Sequence, residues 1–107
     1  MSYAVFELPK AKDDKLSIFR WLRERSPSGA IAWLDAYDEL IRRINDDASS
    51  FGNAPESKDC DFEISQGLFK TRRGRVYRVL FLIDGENAYV LRVRGPGQAP
   101  VLPEEIR

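Results

Sequence analysis

The hydrophobic rhythm of the chain changes twice. Residues 3–8 form a short apolar-rich run that ends at Pro9, which reads as a strand. A three- and four-residue spacing follows. Leu16, Phe19 and Leu22, with Ile18 and Trp21 beside them, mark one face of a helix. Asp13 and Asp14 fall in its expected first turn and Arg23 and Arg25 in its last, where each sign of charge suits the helix dipole. Ser26-Pro27 restarts the chain, with Ser26 as N-cap and Pro27 as first helical residue. From there Ala30, Trp33, Leu34, Tyr37, Leu40, Ile41 and Ile44 form an i, i+3, i+4, i+7 stripe. Asp35, Asp38, Glu39, Arg42 and Arg43 take the opposite face. The pattern predicts a second helix over 28–45. Its short connection to the first makes an antiparallel hairpin.

Residues 46–61 are polar, with Gly, Asn and Pro, and read as a long loop. Strand patterns then cover 63–72, 76–83 and 88–94, separated by the turn dipeptides Arg73-Gly74 and Asp84-Gly85. Residues 76–83 are apolar on both faces, as in a central strand. Residues 88–94 alternate, which places Tyr89, Leu91 and Val93 on one face and Arg92 and Arg94 on the other. Residues 95–107 hold Gly and Pro and read as an extended tail. The order β-α-α-β-β-β predicts an α+β fold: an N-terminal strand and an antiparallel helical hairpin packed on a mostly antiparallel four-stranded sheet.

A length of 107 residues suits a single domain over 1–107. With 43% apolar and 32% charged residues, the chain belongs with globular proteins and not with disordered ones. No apolar run is long enough to span a membrane, and the first residues lack a secretory pattern. Cys60 is the one cysteine and has no internal partner. These features lead to an expected cytoplasmic location. The chain has no histidine, which excludes Ser-His-Asp and Cys-His nucleophiles and histidine-based zinc sites. Glycine-rich nucleotide cradles are also absent. Catalysis would therefore fall to Lys, Arg, Tyr, Asp, Glu, Ser or Thr.

The net charge of zero hides an asymmetry. Residues 67–98 hold 7 basic and 2 acidic side chains, a net of +5, against −4 over 1–66 and −1 over 99–107. Such a segment is either an anion-binding face or a set of solvated strand-edge charges. Arg78 is the residue to watch. It shares a face with Val76, Leu80 and Leu82, where an unpaired charge is costly to bury. Either a carboxylate pairs with it or the sheet is open and Arg78 floors a groove. Arg92 or Arg94 on the next strand can meet it across the sheet, and Lys70 can join them. Such a cluster binds phosphate well. Tyr77 points to the other face and reads as core. The tract Lys70-Thr71-Arg72-Arg73-Gly74-Arg75 suits phosphate-backbone contact or a solvated hairpin tip.

Several of these segments together resemble the RelE/ParE superfamily of bacterial type II toxins. They are the early strand, Trp21-Leu22, Ser26-Pro27-x-x-Ala30 and Ala54-Pro55-Glu56. The strongest are Leu68-Phe69-Lys70, Val76-Tyr77-Arg78-Val79-Leu80-Phe81 and Val90-Leu91-Arg92-Val93. The resemblance spans residues 3–98. It implies the toxin of a toxin–antitoxin system, neutralised by a cognate antitoxin with an acidic or amphipathic arm. RelE-like members are mRNA interferases: endoribonucleases that bind RNA on the ribosome and need neither metal nor cofactor. In them basic residues position the scissile phosphate, the 2′-OH attacks, and a neighbouring group protonates the leaving oxygen. Carried over, the resemblance makes Arg78, Lys70 and Arg94 catalytic, with Arg72, Arg73, Arg75 and Arg92 contacting nucleic acid. ParE-like members share the fold, lack the nuclease residues and inhibit growth by poisoning DNA gyrase. Nuclease members usually carry a His, or an Arg and a later Tyr, after the last strand, where this chain reads Arg94-Gly95-Pro96-Gly97-Gln98. Ser65 stands where many relatives have an arginine. A ParE-like inhibitor, or a toxin fold that only binds, is therefore the alternative.

Overall fold

The computed structural model describes residues 2–106; Met1 and Arg107, the ends of the expected domain and tail, lie outside the described residues. The element order is β1 (Ala4–Glu7), α1 (Pro9–Arg25), α2 (Pro27–Asp47), β2 (Ser65–Phe69), β3 (Tyr77–Asp84), β4 (Asn87–Arg94) and α3 (Pro103–Ile106). Two short 3-10 turns, Ala48–Ser50 and Pro55–Asp59, lie within the segment expected to be loop. Pro9 ends the strand and also begins the helix, because a missing N–H costs nothing in the first turn. That start moves Asp13 and Asp14 out of the first turn, which holds no acid. The α1–α2 junction follows the sequence: the Gly29 N–H donates to Ser26 Oγ at 3.1 Å, and Pro27 opens α2.

The sheet order is β1-β4-β3-β2. β2 and β3 pair antiparallel, as do β3 and β4, but β1 runs parallel to β4. The sheet is therefore mixed and not mostly antiparallel as expected. Short turns between consecutive strands dictate the antiparallel pairs, with Gly85 at φ +61° in the β3–β4 turn. No local turn specifies the direction of β1, which meets a strand some eighty residues away. A bulge in β4, opposite Leu80 and Phe81 of β3, shifts the register, so Leu80 faces Arg92 while Phe81 faces Val90. Leu91 is the extra residue. It joins the core on one face while Val93 joins the core on the other, so Tyr89, Leu91 and Val93 do not share a face as strict alternation would have it.

Both faces of the sheet are covered. The helical hairpin covers one, where Trp33, Tyr37, Leu40 and Ile44 pack on Phe69, Val79, Phe81, Val90 and Val93. Ile41, expected among them, is only partly buried at the margin. The rings of Trp33, Tyr37, Phe69 and Tyr77 lie 5.5–5.9 Å apart, so Tyr77 belongs to the core as its strand parity predicts. Tyr37 donates to Glu7 at 2.5 Å and Lys15 donates to the same oxygen at 2.8 Å, joining α2 and α1 to β1. Burial works to raise the Glu7 carboxyl, but Lys15 and Tyr37 outweigh it and hold the group below its ordinary value. Burial and the Glu7 carboxylate both push the Tyr37 hydroxyl far above its ordinary range, so it stays protonated and keeps donating to Glu7.

The other face is covered by the 54–62 segment and the tail. Ala54, Ile64, Leu80, Leu91, Val101 and Ile106 form this second core. The tail expected to be extended thus ends in a helical turn and anchors the sheet through Val101 and Ile106, 3% and 6% exposed. This explains why β3 is apolar on both sides.

Gly67 on β2 sets how closely α2 approaches. A Cβ at that position would stand 2.8 Å from Leu40 Cδ1. Leu40→Ala should cost about 2–5 kcal/mol in chemical denaturation. Gly67→Ala should cost roughly 1–3 kcal/mol alone and much less beside Leu40→Ala, because the smaller residue vacates the clash. Additive losses in that double-mutant cycle would show that the two positions do not share one packing site.

Candidate nucleic-acid interface

Arg78 sits on β3, facing the second core, directly opposite Arg94 on β4 and Leu68 on β2. Of the two alternatives open for Arg78, the structure has the ion pair. Its guanidinium donates to Glu56 Oε1 at 2.9 Å and to Oε2 at 2.8 Å, and also to Gln66 Oε1 at 3.1 Å. Glu56 is 3% exposed and accepts the Val101 N–H at 3.0 Å as well. Burial alone would raise the Glu56 carboxyl. The Arg78 fork and the backbone N–H groups overcome that and hold it at about 2. The same pair raises Arg78 further, its hydrogen bonds to Glu56 outweighing burial. Arg78 therefore does not floor an open groove: its fork is filled by a carboxylate of its own chain.

Arg92 is held in the same manner. It donates to both Asp14 oxygens, at 2.7 and 2.9 Å, and to the Glu105 carbonyl at 3.0 Å. Asp14 also accepts the Val93 N–H at 3.0 Å. β1 covers the β4 edge only as far as Val90, so Asp14 caps the part of that edge that β1 leaves open. Arg94 donates to the Ala99 carbonyl at 2.6 Å, while its Nε is buried without a partner. The structure thus brings Arg78 and Arg94 together across the sheet, but the 54–62 segment and the tail cover that face and engage both guanidiniums.

The open cations lie elsewhere. Lys70, Arg72, Arg73 and Arg75 are exposed on the turn between β2 and β3, outside every ion pair among the described residues. Lys70 follows the last residue of β2 and takes no part in the hydrogen bonds of the Arg78–Glu56 pair. Beside this turn a groove of about 800 Å³ runs between the β2–β3 turn, the end of α1, the start of α2 and residues 95–98. Its lining includes Arg25, Arg73 and Arg75 and no acidic side chain. Among the described residues no group of three His, Cys, Asp or Glu side chains is placed to hold a metal, and no helix is long and apolar enough to cross a membrane.

Sequence reasoning missed Glu56 and Asp14 as the partners that decide what the arginines do. Glu56 stood in view within Ala54-Pro55-Glu56, an acid between a buried alanine and an apolar stretch at Phe62 and Ile64. Asp14 gave no comparable signal, because its contact to β4 spans 78 residues.

The chain is an α+β domain whose sheet is covered on both faces, with Lys70, Arg72, Arg73 and Arg75 exposed on one turn. No family model matches it, and no curated protein matches it.

The Glu56 pair makes a signed prediction. A folded-state value near 2 against the ordinary 4.5 means that ionised Glu56 stabilises the fold above pH 4.5 and that this contribution disappears as pH falls toward 2. Glu56→Gln should cost roughly 3 kcal/mol at neutral pH. The gap between the two proteins should close as pH falls through that window. Denaturation curves at several pH values check it; a gap that stays constant down to pH 2 would mean that the charge plays no part.

Proposed function

We propose that the chain is the toxin component of a type II toxin–antitoxin pair, and that it arrests growth by binding a target, DNA gyrase in the ParE-like manner, and not by cutting mRNA. The motif order of the sequence and the β-α-α-β-β-β architecture support the toxin reading. The observation that carries the choice of mode is the closed Arg78–Glu56 fork. RNA cleavage needs a cation free to take the scissile phosphate and a group able to exchange a proton near neutrality. Arg78 would have to leave Glu56, stranding a buried carboxylate next to an incoming phosphate. Glu56, held at about 2, has no proton to give. Arg94 is engaged with Ala99, and Arg92 with Asp14. What remains for a partner is the open turn of Lys70, Arg72, Arg73 and Arg75. It suits an acidic surface on the target or on the arm of an antitoxin.

Induced expression in a bacterial host tests both parts. Growth should stop, with DNA synthesis falling and the DNA-damage response rising while protein synthesis continues and messages stay intact. Purified protein should block supercoiling by gyrase. Arg78→Ala should lose stability, by roughly 3 kcal/mol, because it leaves Glu56 buried and unpaired. Messages cut at defined sites, with cutting abolished by Arg78→Lys in a protein that still folds, would reinstate the nuclease reading. Undiminished growth at high expression would end the toxin reading altogether.

A further inference from the structure

The groove at the end of the helical hairpin shares Arg73 and Arg75 with the turn assigned above to an acidic partner, and it adds an aromatic interior which that reading does not use. Its inner surface is aromatic: Trp33 is 2% exposed and Tyr77 half-buried, with Trp21 exposed at the rim. Its charge is of one sign, from Arg25, Arg73 and Arg75, with no carboxylate to neutralise it. Arg25 lies 3.7 Å from the centre of the Trp21 ring and donates to the Trp21 carbonyl at 2.8 Å, which fixes both ring and charge before any ligand arrives. Two arginines flank Gly74 in a turn whose own backbone closes through the Gly74 N–H to the Thr71 carbonyl at 3.1 Å.

We propose that this groove binds a nucleotide, an aromatic base carrying phosphate. A planar ring matches the aromatic side chains Trp21 and Tyr77 of the lining. A phosphate matches the arginine rim, where guanidinium forks bind its oxygens in pairs. Stacking of a base on such side chains is tolerant of base identity, so the site recognises the class and not one member. A volume of about 800 Å³ accommodates a mononucleotide with room at the open side. A free nucleotide and one unit of a single strand offer the same chemistry.

The chain provides its own reporter, because both of its tryptophans, Trp21 and Trp33, line the groove. Titrating the full chain with adenosine 5′-diphosphate should quench tryptophan emission saturably, whereas adenosine or inorganic phosphate alone should act far more weakly. A single-stranded hexanucleotide identifies the source: tighter binding than the free diphosphate points to a strand, and equal or weaker binding to a free nucleotide. Arg73→Ala and Arg75→Ala sit on an exposed turn, should leave the circular dichroism unchanged, and should each weaken binding about tenfold. Emission that ignores both probes would overturn the proposal, as would quenching that persists unchanged in both variants. So would a groove that takes an acidic amphipathic peptide and neither nucleotide probe. Each of these results would leave the toxin reading untouched.

Discussion

A carboxylate with almost no exposed surface must have its charge matched, and Glu56 has it matched from two directions. Arg78 on the central strand grips both oxygens, and the Val101 N–H of the tail binds one of them. The segment bearing Glu56 is itself bound to the sheet edge through the Ala54 N–H to the Ile64 carbonyl and a bridge between Asn53 and Ser65. One ion pair therefore joins the segment after α2, the middle of the sheet and the tail. The second core of Ala54, Ile64, Leu80, Leu91, Val101 and Ile106 closes around it. Without the pair, a charge would sit among those apolar side chains with no counterpart.

Asp14 plays a related part on the other side of the sheet. β1 is four residues long and covers only the first half of β4. Asp14 takes over where β1 ends, accepting the Val93 N–H and holding Arg92. The bulge at Leu80 and Phe81 makes this arrangement compatible with a packed sheet, because it lets Leu91 and Val93 enter opposite cores. A carboxylate in the second turn of α1 thus does for the sheet edge what a further strand residue would do.

Together these two pairs redistribute the charge of the basic segment. Arg78 and Arg92 are internal, and Arg94 is tied to the tail. Lys70, Arg72, Arg73 and Arg75 stay open on one turn, next to a groove that lacks acidic side chains. The exposed cations of this segment therefore lie at the end of the sheet and not on its face.

Local pattern made much of the fold legible. The α2 stripe buries as its period predicts at Trp33, Tyr37, Leu40 and Ile44, Ser26 caps where its chemistry suits capping, and Asp84-Gly85 turns the chain between β3 and β4. Each of these depends on neighbours within a few residues, and side-chain period or backbone freedom fixes it. The parallel direction of β1, the bulge that breaks alternation in β4 and the burial of the tail depend on contacts across the whole chain. The fate of the arginines does too. The sequence by itself determined that Arg78 lies on a strand face where a lone charge is costly, which requires either a partner or solvent. Only the tertiary structure decided for a partner, because Glu56 is 22 residues away and Asp14 is 78 from Arg92. Electrostatic pairing over such separations is settled by which surfaces the hydrophobic cores bring together.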